Sequence, residues 1–204
     1  MKTILIANPK GGSGKTTLSV NIAGYLANQG HRVAILDLDR QKSASAWVAA
    51  RTDDLPGIVT LDSKKGEDYF TDRLVIDSQA GLHGKNLVRA IRLAHKIIIP
   101  IAPSLFDQNA SRDFLKILAD ENEVQQGKCQ IGIVGMRMNA RTRAATSLEE
   151  FLAASKLPIL AYLRDTQLYV NAAFEGKSLF DLPHRLAERE LEQWEFLLNW
   201  LEKD

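Results

Sequence analysis

A three-layer α/β fold, in which a mainly parallel, twisted sheet is covered by helices on both faces, is predicted for this chain by three observations. Apolar, β-branched runs alternate with helical patterns along nearly the whole length. The runs are apolar throughout instead of alternating with polar residues, as strands buried on both faces are. A glycine-rich turn joins the first strand to the first helix.

The elements follow in order. Thr3 to Ala7 (TILIA) reads as a buried strand, and Thr16 to Gln29 carries helix formers at apolar spacing. Strands are expected near 2–7, 33–37, 57–61, 73–77, 96–101, 129–136 and 158–162, with helical patterns between most of them. The last helix is expected over Ala187 to Lys203, with an apolar stripe at Leu191, Trp194, Leu198 and Leu201 and an acidic face of Glu188, Glu190, Glu192, Glu195 and Glu202. Arg51 to Gly57 and Ser63 to Asp72 are polar segments broken by Pro56 and Gly66, so they are expected to be irregular. There is no internal repeat or low-complexity linker. With 204 residues and 45% hydrophobic content, the chain is expected to form one domain, 1–204.

Composition narrows the class. A formal net charge of +1 demands no acidic partner by itself. No apolar run is long enough to span a bilayer, and the first residues read as a strand, not as a signal peptide. Cys129 is the only cysteine and sits in the apolar stretch Cys129 to Gly135, where a small buried hydrophobe is expected; a lone cysteine suits a reducing cytoplasm.

The turn after the first strand is Pro9-Lys10-Gly11-Gly12-Ser13-Gly14-Lys15-Thr16-Thr17. It fits a phosphate-binding loop, with Pro9 at the first glycine of the general pattern. Glycines let the backbone wrap phosphate oxygens with its N–H groups turned inward, and the helix N-terminus adds partial positive charge. Gly11, Gly12, Ser13, Gly14, Lys15, Thr16 and Thr17 are therefore the expected nucleotide cradle, Lys15 reaching the β- and γ-phosphates and the Thr16 hydroxyl ligating Mg²⁺. Two further strands end in carboxylates, Arg32 to Leu38 running into Asp37-Leu38-Asp39-Arg40-Gln41 and Arg73 to Ile76 ending in Asp77. Carboxyl ends of parallel strands are where an open α/β sheet gathers its ligands. Singly, each aspartate fits a helix cap or turn as well; behind such a loop they form a site.

Lys10 to Thr17 fits without a gap the deviant Walker A pattern KGGxGKT[ST], and on it the chain resembles the ParA/MinD family of P-loop ATPases. The resemblance implies a P-loop NTPase fold, ATP and Mg²⁺ as cofactors, and a catalytic set of Lys10, Lys15 and Asp39. It implies that Lys10 reaches across a homodimer to phosphates held by the other subunit, so that ATP bridges two copies. Asp37 to Gln41 is similar to the family's DxDPQ segment, which implies that Asp37 lies near Mg²⁺ and Asp39 orients the attacking water; Arg40 stands where proline is usual. Thr16, Asp37 and Asp77 are then the metal-holding residues, Asp77 through water, and Ser78 to Gly81 resembles a switch loop sensing the γ-phosphate.

Other segments narrow the resemblance. Lys96 to Asp107 (KIIIPIAPSLFD) resembles the IPVxPSxxD stretch of ParA proteins, and Arg164 to Phe180 resembles the small plasmid-partition ATPases of the ParF type, ending in GKSLF for GxSVF. The resemblance covers Met1 to about Leu182 and includes no N-terminal DNA-reading domain. It implies non-specific DNA binding, nucleoid association and a ParB-like cargo adaptor that stimulates hydrolysis. Arg141, Arg143, Arg164 and Lys177 are the candidate DNA contacts. Arg137 joins Arg141 and Arg143 in a basic cluster flanking Asn139, in what reads as a polar turn after a strand; the resemblance implies that Arg137 and Asn139 contact the adenine instead. Iron–sulfur reductases and metal-bridged targeting ATPases are excluded because their cysteines are missing. A MinD-type membrane regulator is disfavoured by the acidic last helix. A P-loop biosynthetic enzyme of the dethiobiotin synthetase kind is disfavoured by the PSLFD and GKSLF segments. No membrane partner is expected.

Overall fold

The computed structural model describes residues 1–61 and 71–203. Part of the expected irregular segment from Ser63 to Asp72 lies outside them. The strands are β1 (Lys2–Ile6), β2 (Val33–Asp37), β3 (Ile58–Leu61), β4 (Arg73–Asp77), β5 (Lys96–Ile101), β6 (Gln130–Met138) and β7 (Ile159–Arg164). They form one sheet in the order β3-β2-β4-β1-β5-β6-β7, every neighbouring pair parallel. The helices are α1 (Lys15–Asn28), α2 (Ser43–Ala49), α3 (Gly84–Leu93), α4 (Leu105–Ala119), α5 (Asn122–Gln125), α6 (Arg143–Ala154), α7 (Gln167–Phe174) and α8 (His184–Glu202), with a 3₁₀ turn at Leu179–Asp181.

Alternation along the strands sorts the core into two layers. Ile4 and Ile6 face one way, to a cluster that also holds Leu18 and Ile22 of α1, Trp47 of α2 and Trp194 and Leu197 of α8. Leu5 and Ala7 face the other, to Leu87 and Ile91 of α3, Phe114 of α4 and Leu148 and Leu152 of α6. Because chain order reverses on either side of β1, the crevice for a ligand opens at the carboxyl end of that strand. The glycine-rich turn occupies that point.

The GKSLF segment is a structural clamp between helices. Gly176 has φ +65, and a Cβ there would meet the Ala50 backbone at 2.5 Å. Its carbonyl accepts from Arg51 at 2.9 Å, the Lys177 carbonyl accepts from Trp47 Nε1 at 3.2 Å, and the Leu179 N–H donates to Asn21 Oδ1 at 2.8 Å. Arg51 also pairs with Asp181 at 3.0 Å, both side chains nearly or wholly buried at 5% and 0% exposure. The segment before α8 is thereby tied to α2, the helix that follows the Asp37–Asp39 loop.

Two expectations need correction. The last helix starts at His184, and Glu190 is not on its solvent face: it is buried and pairs with Arg164 at 3.0 Å. Arg137 is not in a turn; it lies within β6, exposed, at φ 51, where the β6–β7 register is irregular.

Candidate functional site

The site is built outward from the end of β1. Asn8 is fully buried; its amide donates to the Pro100 carbonyl at 2.7 Å and to Ser111 Oγ at 3.2 Å, and its Oδ1 accepts from the Lys10 N–H at 2.8 Å. The loop is thus hung from β5 and α4 before its first glycine. Gly14 has φ +96, a backbone conformation that residues with a side chain rarely adopt, and this favours glycine where the loop turns into α1; a Cβ there would also displace Met136 Cε, 2.6 Å away. The loop's ends are tied: the Gly81 N–H donates to the Pro9 carbonyl at 2.8 Å and Ser78 N–H to the Ile6 carbonyl at 3.2 Å. The segment that resembles a switch loop therefore leans directly on the phosphate loop.

The strand register brings the carboxylates level. Asp37 and Asp77 are partners across β2 and β4, and Asp77 is level with Ile6 of β1. Asp77 Oδ2 accepts from Thr16 Oγ1 at 2.8 Å, and its Oδ1 accepts from Ser19 Oγ at 2.9 Å. Asp37 accepts from the backbone and hydroxyl of Ser45 at 2.9 and 3.1 Å and from the Asp39 N–H at 3.0 Å, which fixes the loop and the start of α2 together. Asp39 is half-buried and accepts from Gln41 N–H at 2.9 Å. Lys15 is buried with its ammonium on the Lys10 carbonyl at 2.9 Å, whereas Lys10 itself is exposed.

Burial pushes the Asp77 carboxyl from its ordinary 3.8 up to about 6, and the Asp37 charge adds to this, against the opposing hydrogen bonds from Thr16 and Ser19 and the charge of Lys15. Burial lowers the Lys15 ammonium, while Asp77 and Asp39 hold it up. A buried carboxylate short of compensating charge is a place where a cation is accommodated. The donors here, the Thr16 hydroxyl and the Asp37 and Asp77 carboxylates, are hard oxygens suited to Mg²⁺. Among the described residues no group of three His, Cys, Asp or Glu could hold a metal unaided. Magnesium is characteristically held by one or two carboxylates plus phosphate oxygens and water, so the set fits a metal that arrives with nucleotide. Ser13 Oγ in the loop and Ser78 Oγ after β4 are buried without a hydrogen-bond partner, as donors reserved for a ligand would be.

A raised carboxyl favours the fold fully below its unfolded value, and that advantage is lost as pH rises through about 6. Asp77→Asn removes the titration. Its melting temperature relative to the parent, both without nucleotide, should therefore rise between pH 4 and pH 7; a pH-independent difference would show that the carboxyl is not strained by burial.

The sequence profile of the CobQ/CobB/MinD/ParA nucleotide-binding domain matches residues 4–179. The chain belongs to this family. The ParA/MinD proteins within it are P-loop ATPases, and the seven-stranded all-parallel sheet of this chain matches their fold. Protein ParA of Rhizobium radiobacter is 28% identical over 143 residues, 66% of this chain and 64% of that protein's length. The maintenance of carboxysome distribution protein A of Halothiobacillus neapolitanus is 26% identical over 193 residues, 90% of this chain and 88% of that protein. Among solved structures, apo McdA of Cyanothece superposes with a TM-score of 0.75 at 18% identity, covering 97% of this chain and 99% of that one, a likeness of fold. These relatives fit a small ParA-like protein of the family.

The residues expected at the site divide into three groups. Gly11 to Thr17, Asp37, Asp39 and Asp77 gather at the carboxyl ends of β1, β2 and β4. Arg137, Asn139, Arg141 and Arg143 are exposed at or after the end of β6, on the same rim of the sheet. Arg164 and Lys177 differ from them because their charge is already engaged, by Glu190 at 3.0 Å and Glu175 at 2.6 Å. Sequence reading missed Asn8, Ser19 and Ser45. Ser19, four residues after Lys15 and so on the same face of α1, was one detectable signal, and Asn8, which accepts from the backbone two residues on, was another; Ser45 acts through a contact that no local spacing announces.

Proposed function

We propose that this protein is a ParA-type ATPase that closes as an ATP-bridged homodimer, binds nucleoid DNA without sequence preference in that state, and positions a cargo through hydrolysis stimulated by a partner. The cargo class is a plasmid, chromosome region, carboxysome or chemoreceptor cluster, joined through a ParB-like adaptor. The observation that carries the reading is the loop itself: Lys15 is turned inward beside Asp77, while Lys10, five residues earlier, is held by its backbone on Asn8 and leaves its ammonium exposed. An exposed cation fixed at the rim of a triphosphate site is suited to phosphates held by a second subunit. Leu105 and Phe106, at the start of α4 beyond the end of β5, are 65% and 74% exposed and offer apolar surface on that same rim.

The residues divide the chemistry. Bound Mg²⁺ would supply charge neutralisation at the phosphates, with Thr16 and Asp77 holding it and Asp37 beside them. Lys15 orients the phosphates, Asp39 orients the attacking water, and Lys10 offsets charge that develops on the transferred group. Gly81, bonded to Pro9, passes loss of the γ-phosphate to the switch segment. Arg141 and Arg143 are the cations for DNA. The apolar stripe of α8 faces the core through Trp194, Leu197 and Leu201, so it is not free to lie on a lipid surface, which disfavours a lipid-bound regulator.

The test is binding to a random-sequence duplex at low salt without nucleotide and with ADP, ATP or a slowly hydrolysed ATP analogue, with mass measured in the same samples. Binding and dimerisation are expected only with triphosphate, both lost in Lys10→Ala although that variant still binds ATP. Dimerisation of Lys10→Ala with ATP would overturn the bridging role. ATP turnover with no DNA binding in any state would point to a small-molecule or membrane-linked enzyme.

A further inference from the structure

Strand β7 closes one side of the sheet, three strands along from β1, and among the described residues its outer edge pairs with no strand. An edge strand presents backbone donors and acceptors ready to receive an extended chain. One of its amides is already answered by a side chain: Arg164 N–H donates to Gln193 Oε1 of α8 at 2.9 Å. Between β7 and α8 runs a groove of about 480 Å³, lined along the strand by Ile159, Leu160, Ala161 and Tyr162 and along the helix by Gln193 and Phe196, the latter 57% exposed. Its charged lining is of one sign, Glu192 and Glu195, both exposed, with no lysine or arginine. On the other face of the strand the Glu149 carboxylate of α6 acts on the Tyr162 hydroxyl. Arg164, the cation of β7 itself, is engaged by Glu190.

We infer that the β7–α8 groove is a docking site for an extended, basic peptide segment of a partner protein, added to the sheet as an eighth strand. Main-chain pairing supplies affinity, and lysines or arginines at alternate positions, on the α8 side, meet Glu192 and Glu195, while the apolar residues between them lie on the opposite face beside Tyr162. A second copy of this chain suits the groove poorly. Two β7 edges paired about a two-fold axis would set Glu192 and Glu195 against their own copies, and like charges oppose that contact. The inference stands apart from the nucleotide reading, because the groove shares no residue with the phosphate loop.

The probe is a fluorescein-labelled Lys-Val-Lys-Val-Lys-Val-Lys peptide, titrated by anisotropy into nucleotide-free protein, with Glu-for-Lys and proline-interrupted versions as controls. The basic peptide is expected to bind, weaken with salt and slow amide exchange in 159–164; both controls are expected to fail. Glu192→Lys with Glu195→Lys should weaken it about tenfold, and the paired Gln variants by less, with unchanged melting. No binding, or binding indifferent to charge reversal or to proline, overturns the inference. So does protection of 159–164 that appears without peptide as the protein doubles in mass, which would give the edge to a second copy. Nucleotide-dependent DNA binding is unaffected by either result, so the two readings fail separately.

Discussion

Lys15→Ala is expected to lower affinity for a slowly hydrolysed ATP analogue by about a hundredfold, the loss of a charge-assisted contact of about 3 kcal/mol. The ammonium is buried, is held on the Lys10 carbonyl, and lies near enough to Asp77 and Asp39 to feel both charges. It is thus pre-aimed into the loop and loses little freedom on binding. Burial without a bound anion is unfavourable for this amine, so the variant should fold as well as the parent. Titration calorimetry beside thermal melting separates the two effects. Affinity within threefold of the parent would remove Lys15 from the phosphate site, and a large fall in melting temperature would make its role structural.

Asp181→Ala is expected to cost about 3–5 kcal/mol of stability, because it leaves Arg51 buried without its counter-charge. For a chain of this size that is a fall in melting temperature of about 10 °C. Burial by itself pushes the Asp181 carboxyl up, yet hydrogen bonds from Arg51, Ser178 and Asn28 outweigh it and hold the group below its ordinary value. Its contribution is therefore present above the unfolded value and is lost as pH falls through the folded one. Asp181→Asn keeps part of the network and should cost less. The effect is expected to reach the site, since Arg51 follows α2 and the start of α2 is held by Asp37 through Ser45. A fall of less than about 2 °C would show that Arg51 finds full compensation in the Gly176 and Pro56 carbonyls.

If the chain positions a cargo as proposed, the choice of adaptor would reside on exposed residues. The groove beside β7 is one such surface, and it lies apart from the phosphate loop. A basic, extended docking segment would also explain why a chain with almost no net charge keeps an uncancelled acidic patch there.

What the sequence determined by itself was the set of things that local rules control. Seven apolar runs became the seven strands to within about two residues, because period and β-branching decide burial on a sheet. The turn from Lys10 to Thr17 fell where it was expected, because positive φ at Gly12 and Gly14 leaves few residues able to make it. Asp37 and Asp77 were legible as strand-end carboxylates because the apolar runs that form β2 and β4 end on them. Only tertiary structure decided the rest. It placed Asn8 under the loop through Pro100 and Ser111, more than ninety residues away, and seated Ser19 and Thr16 on Asp77. It took Glu190 off the surface and gave it Arg164, so that a charge read as free proved to be half of a pair. It turned GKSLFD from a signature into a clamp through Arg51 and Asp181. Each of these depends on which distant backbone segments share an edge or a face, and that information is carried by strand order and register, which a single chain's local pattern does not encode.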